Sequence, residues 1–193
     1  LKQFVSTMRR FPDQRVEKAG KTSILLVRPS PLDPRQGLLQ MGPLRLRCAL
    51  GKGRISTRKR EGDGATPLAS MRLLSAYCRP GGRGGPRFAL PTRLTRASDG
   101  WCDEARHGRY NCPVRLPFPK SAERMMRGDR LYDGVVVLDW NVTRRARGLG
   151  SAIFLHVARP GYAPTEGCVA LSRGDLDRLA PHLHRGMRLV VRR

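Results

Sequence analysis

One histidine and one cysteine stand out in the stretch GSAIFLHVARPGYAPTEGCVALS, residues 150–172. His156 closes one strand-like segment and Cys168 opens the next, with a Pro/Gly turn region between them. Bringing an imidazole next to a thiol is what a cysteine nucleophile needs. A free thiol, with a pKa of about 8.5, is only a few per cent thiolate at neutral pH. A neighbouring histidine supplies the base, or the positive partner, that raises that fraction. Gly167 sits beside the thiol, where a missing Cβ lets backbone N–H groups approach a developing oxyanion. The N–H of Cys168 and that of Gly167 or Glu166 are the candidate donors. Thr165 would bond a substrate carbonyl or brace the turn. A Glu166 carboxylate aimed inward would raise the thiol pKa, so it is expected to face solvent or an arginine. The implied chemistry is acyl transfer: the thiolate attacks a carbonyl, an amine leaves, and a second amine or water takes the acyl group.

These side chains need strands to hold them. Val135–Leu138 (VVVL) is the strongest buried-strand signal, Ala152–Val157 the second, and Val169–Leu171 begins directly after Cys168. Ser172 and Asp175 then form a capping box, with Leu176, Leu179, Ala180 and Leu183 following at helical spacing. Met187–Val191 reads as a last strand. Upstream, Thr22–Arg28, Leu44–Cys48, Ile55–Thr57 and Leu68–Leu74 read as strands, and Gly51–Gly53 as a turn. The prolines at 29, 31 and 34 make Pro29–Gly42 read as a loop, and the glycines of Arg79–Pro86 do the same there. Ser121–Arg127 reads as a helical turn. The expectation is a mainly β domain with short helices over 21–193, preceded by a polar N-terminal arm at 1–20.

Net charge is +23 over 193 residues, carried mostly by arginine. Such a chain is drawn to polyanions, among them an anionic cell envelope. Long basic tracts and aromatic stacking runs are missing, so no specific nucleic-acid partner is expected. No apolar run approaches the ~18–20 residues of a membrane span. Of the five cysteines, four remain if Cys168 is reactive, and four allow three pairings. Cys102 and Cys112, close together in a turn-rich segment, are the favoured bridge; Cys48 and Cys78 pair or stay as buried thiols. No C-x-x-C occurs and the His/Cys spacings do not suit zinc, so neither metal nor cofactor is expected.

The segment from Thr165 to Val169, with His156 upstream, resembles the signature of the YkuD-type L,D-transpeptidases, bacterial enzymes that remodel peptidoglycan. Many members carry a second histidine where this chain has Glu166, and Arg or Asn where it has Ala170; the His-to-Cys gap is also short. These departures resemble a branch with a T-x-G-C-V-A-L ending. Gly51-Lys52-Gly53 and Glu61–Pro67 (EGDGATP) match that branch, as do Gly100–Asp103, Tyr110-Asn111, Leu116-Pro117, Leu131–Asp133 and Asn141. The similarity runs from about Leu44 to Arg192.

The resemblance implies a mixed β-sandwich with a helix after the cysteine strand, and a backbone carbonyl orienting the imidazole. It implies a peptidoglycan stem peptide as donor, a thioester on Cys168 and an amine of a second stem as acceptor. It also implies susceptibility to carbapenem acylation and an exported, periplasmic location. Trp101, Tyr132 and Arg173 are candidate substrate contacts. Two alternatives stay open. Attack by water would make the chain an L,D-carboxypeptidase, and the replaced positions 166 and 170 leave room for a non-catalytic envelope- or peptidoglycan-binding module.

Overall fold

The computed structural model describes residues 24–81 and 85–193; the expected arm at 1–20 lies outside the described residues. Fourteen strands and one short α-helix are present among them. In chain order these are β1 (Ile24–Pro29), β2 (Gln36–Met41), β3 (Leu44–Ala49), β4 (Ile55–Ser56), β5 (Thr66–Pro67), β6 (Ser70–Cys78) and β7 (Thr92–Leu94). Then follow β8 (Asp99–Cys102), β9 (Pro113–Arg115), β10 (Ala122–Arg124), β11 (Gly134–Leu138), β12 (Phe154–Val157), β13 (Val169–Leu171), α1 (Arg173–Leu179) and β14 (Arg188–Val191).

The main sheet runs β11-β12-β13-β3-β2-β1-β14-β6-β7, and a further β11–β6 pairing closes it on itself. It is mixed: β1–β14, β12–β13 and β6–β7 are parallel, the rest antiparallel. The fold class is therefore the mainly β one expected. Closure leaves few exposed edges and lets opposite walls face each other across one core. That larger core takes Leu25, Leu39, Leu46, Met71, Val136, Leu155, Val169 and Leu189 from the eight closing strands.

Alternation decides which side chains face the site. Val136, Leu155 and Val169 point into the larger core. Their neighbours Val135, Val137, Phe154 and Cys168 point the other way, into a second cluster with Tyr77, Trp101, Met125 and Tyr132. β8, β9 and β10 form a small antiparallel sheet that covers this second face. The helix starts as the capping box foretells: Ser172 Oγ accepts from the Asp175 N–H at 3.1 Å, and Leu176 and Leu179 are buried.

Three expectations are corrected. Pro29–Gly42 is not all loop, because its prolines crowd its first half and leave Gln36–Met41 free to pair with both β1 and β3. In β2, Leu39 is fully buried while Leu38 faces out. Ser121–Arg127 contains a strand rather than a helical turn: β10 pairs with β8, Glu123 opposite Trp101. The Cys102–Cys112 bridge is not formed; all five cysteines are free thiols. Cys112 turns its sulfur to Arg145 Nη1 at 3.3 Å, whereas Cys102 is fully buried. Cys48 lies in the larger core, and Cys78 Sγ donates to Pro86 O at 3.1 Å.

Candidate active site

β12 and β13 lie side by side and parallel, Leu155 opposite Val169 and His156 opposite Ala170. Cys168 immediately precedes β13 and faces as Ala170 does, two residues on; His156 faces as Phe154 does. The imidazole and the thiol therefore share one face as diagonal neighbours. Both line a cavity of about 380 Å³. They form its buried floor, Cys168 at 7% exposure and His156 at 5%.

His156 Nδ1 lies 2.8 Å from Val157 O. A carbonyl oxygen can only accept, so Nδ1 carries the proton and Nε2 is left as the basic nitrogen. This is the backbone orienter that the resemblance implies. Burial, with Arg127 and Arg159 nearby, outweighs that hydrogen bond and lowers the imidazole pKa from 6.5 to about 4. The thiol is raised to about 12, chiefly by burial and secondly by the Glu123 carboxylate. The Phe154 N–H, together with Lys59 and Arg127, acts the other way. Both shifts favour the neutral forms of the imidazole and the thiol at rest. The resting thiol donates to Ala152 O at 3.2 Å and accepts from the Phe154 N–H at 3.3 Å.

The loop before Cys168 is braced from a distant part of the chain. Thr165 N–H donates to Leu50 O at 2.9 Å, and the Lys52 N–H to Thr165 O at 2.8 Å. Thr165 Oγ1 donates to Cys168 O at 2.7 Å and accepts the Gly167 N–H at 3.1 Å. Thr165 therefore braces the turn, and the Gly167 N–H is already engaged by it. Gly167 has a φ of +128°, and a Cβ there would sit 2.7 Å from Ala65 O. The glycine is required by this close approach of the EGDGATP block. Glu166 faces solvent and pairs with Lys52 at 2.8 Å, as its expected outward orientation demands.

The candidate substrate contacts divide. Tyr132 lines the cavity. Trp101 does not: it is 3% exposed, packs edge-on against Phe154 at 5.1 Å, and gives its indole N–H to Asn111 Oδ1 at 2.9 Å. Arg173 is also elsewhere, paired with Asp133 at 3.1 Å and Asp177 at 3.0 Å. Asp133, almost wholly buried, also receives Arg79 and Arg130 and so ties β6 and α1 to the end of the 123–133 segment. Sequence reading missed the polar cavity wall of Glu61, Asp103, Glu123, Arg127 and Arg159. The EGDG block carried a signal for Glu61 and the Gly100–Asp103 block one for Asp103, whereas Glu123, Arg127 and Arg159 had none.

Residues 35–191 match the family model of YkuD, the L,D-transpeptidase catalytic domain. The chain belongs to that family. The YkuD match begins just before β2 and ends on the last residue of β14, so it spans all the strands of the closed sheet except β1. Among solved structures, the chain is similar to an L,D-transpeptidase from Mycobacterium tuberculosis H37Rv, at 11% identity and a TM-score of 0.44. That similarity covers 89% of this chain and 58% of the other, so the chain spans under two thirds of that protein's length. No curated protein matches.

Proposed function

We propose that this YkuD domain is a cysteine L,D-transpeptidase of peptidoglycan. The carrying observation is the placement of Cys168 and His156 on one face of two adjacent parallel strands, at the floor of a cavity, with the imidazole Nε2 left basic. The Cys168 proton, which at rest points to the Ala152 carbonyl, would leave Sγ for His156 Nε2 as the sulfur attacks a stem-peptide carbonyl between an L- and a D-centre. Neutral partners suit this concerted route, because the charge pair forms only as the new C–S bond does. When the tetrahedral intermediate collapses, the C–N bond breaks and His156 returns the proton to the leaving amine. A thioester remains on Cys168. An amine of a second stem, deprotonated by His156, would attack the thioester and release the thiol, completing a crosslink. The N–H groups of Cys168 and Glu166 are the oxyanion donors in this scheme, since the Gly167 N–H is occupied.

Such a substrate lies outside the cytoplasmic membrane, so an exported location goes with the reading, and the net charge of +23 favours an anionic envelope. The test is incubation of the protein and of Cys168→Ala with purified disaccharide-peptide muropeptides of several stem lengths, read by mass spectrometry. A Cys168-dependent dimer is expected. Trimmed monomer would make water the acceptor and the protein a carboxypeptidase. No change with any stem would sink the catalytic reading.

A further inference from the structure

Tyr132, in the cavity wall, is a side chain for which the scheme above has no use. Tyr132 is 5% exposed, and its ring meets the His156 imidazole edge-on, with centroids 5.2 Å apart at 69°. It also meets Phe154 at 5.9 Å, and the Phe154 N–H holds the thiol. Tyr132 Oη donates to Glu123 Oε1 at 2.8 Å. The same carboxylate oxygen takes Arg127 Nη1 at 3.1 Å, and the Arg127 guanidinium lies over the Tyr132 ring, 5.1 Å from its centroid. Arg127 in turn holds Asp129 at 2.6 Å. One residue before the tyrosine, Leu131 O accepts the Val157 N–H at 3.1 Å, directly beyond His156.

An imidazole held by one hydrogen bond from Nδ1 can still swing about that bond. A ring packed edge-on against it restricts that freedom, and a ring whose hydroxyl is fixed cannot itself swing away. We propose that Tyr132, locked by Glu123 and Arg127, is a positioning residue that fixes the imidazole of His156 for proton transfer with Cys168. This reassigns a side chain that the sequence placed among the substrate contacts, and it rests on the catalytic reading of Cys168 and His156 given above. The ring also helps keep water from the imidazole. The charged and titratable groups facing His156 are Arg127 and Arg159, Asp129, the Tyr132 phenol itself and, across the cavity floor, Cys168 and Glu123.

Two variants separate the parts. Tyr132→Phe keeps the ring and loses the lock; Tyr132→Leu loses the ring. With muropeptide substrate, kcat is expected to fall roughly two- to tenfold in Tyr132→Phe, the loss of one hydrogen bond. In Tyr132→Leu it falls roughly 10–100-fold, the scale of a misplaced catalytic group. KM stays within about twofold in both. The imidazole titration of His156, followed by NMR in the resting protein, moves in Tyr132→Leu from about 4 toward its ordinary 6.5 as water gains access. A raised KM with unchanged kcat would make Tyr132 a substrate contact and overturn the proposal. So would an unmoved His156 titration in a folded Tyr132→Leu protein. The titration needs no turnover, so it decides the positioning role even if the wild type proves inactive and the catalytic reading fails.

Discussion

Replacing Gly167 by alanine tests the claim that the loop before Cys168 is clamped by the sequence-distant Ala65 segment. Two costs add. The backbone sits at a φ of +128°, where a non-glycine residue carries strain of about 1–3 kcal/mol. The new Cβ would also lie 2.7 Å from Ala65 O, a backbone atom rather than a flexible tip. Ala65 has little room to yield: its N–H is held by Asp63 Oδ1 at 2.8 Å, and the next N–H, of Thr66, by Arg54 O at 2.8 Å. A total of about 2–4 kcal/mol follows, slightly reduced by the lower chain entropy of unfolded alanine. For a domain of this size that is a drop in melting temperature of roughly 5–15 °C. Gly148→Ala is the internal control. Its φ is +73° but nothing lies within 4 Å of a Cβ there, so it pays strain alone, about 1 kcal/mol. Urea unfolding of both variants measures the difference. Equal losses at the two positions, or a Gly167→Ala protein within about 0.5 kcal/mol of wild type, would refute the clamp.

Three further outcomes follow from the charges. His156 is depressed to about 4, so its unfolded form takes the proton first as pH falls; its share of stability is full above about 6.5 and lost toward 4. Between pH 7 and pH 4 the wild type should lose on the order of 3 kcal/mol more than His156→Gln in urea melts, and equal losses would contradict a buried neutral imidazole. Alkylation of Cys168 by iodoacetamide, mapped by peptide mass, should keep rising through pH 10 because the thiol is raised to about 12; a plateau near neutrality would reveal an ion pair instead. Asp133→Asn strips the charge from a buried carboxylate that holds Arg79, Arg130 and Arg173, and should cost about 2–4 kcal/mol in the same melts, whereas a loss under about 0.5 kcal/mol would mean the arginines are satisfied without it.

What could be read in the sequence was what local pattern dictates. VVVL at 135–138, the run ending in His156, and VAL after Cys168 are all strands in the structure, and Ser172 with Asp175 starts the helix. The facing of His156 and Cys168 follows from alternation once the two strands are adjacent, but adjacency itself is set by the sheet. β10 shows the opposite case. Ala122–Arg124 has good helix formers, yet β8 offers it a ladder, and long-range pairing wins over weak local preference. β2 was obscured by the prolines before it. The resemblance placed Trp101 among the groove residues, and its block suits a core setting equally well; only the packing of Phe154 against its ring and Asn111 on its N–H decides the matter. Glu123, Arg127 and Arg159 were invisible among so many charges, because what distinguishes them is the cavity they face.

The closing strand carries a consequence for how the chain is made. β14 pairs with β1 on one side and β6 on the other, Leu189 opposite Leu25 and Met71, and Arg192 N–H donates to Val27 O at 2.9 Å. The first and last described strands are thus neighbours, and the ring has a gap between β1 and β6 until residues 188–191 arrive. A chain still emerging from the ribosome must hold those two edges open until residues 188–191 are free. Both are edges on which unfinished chains could pair with one another. The cysteine and its histidine precede that strand, so their alignment waits on it, and a chain stopped short of residue 188 would present an open sheet.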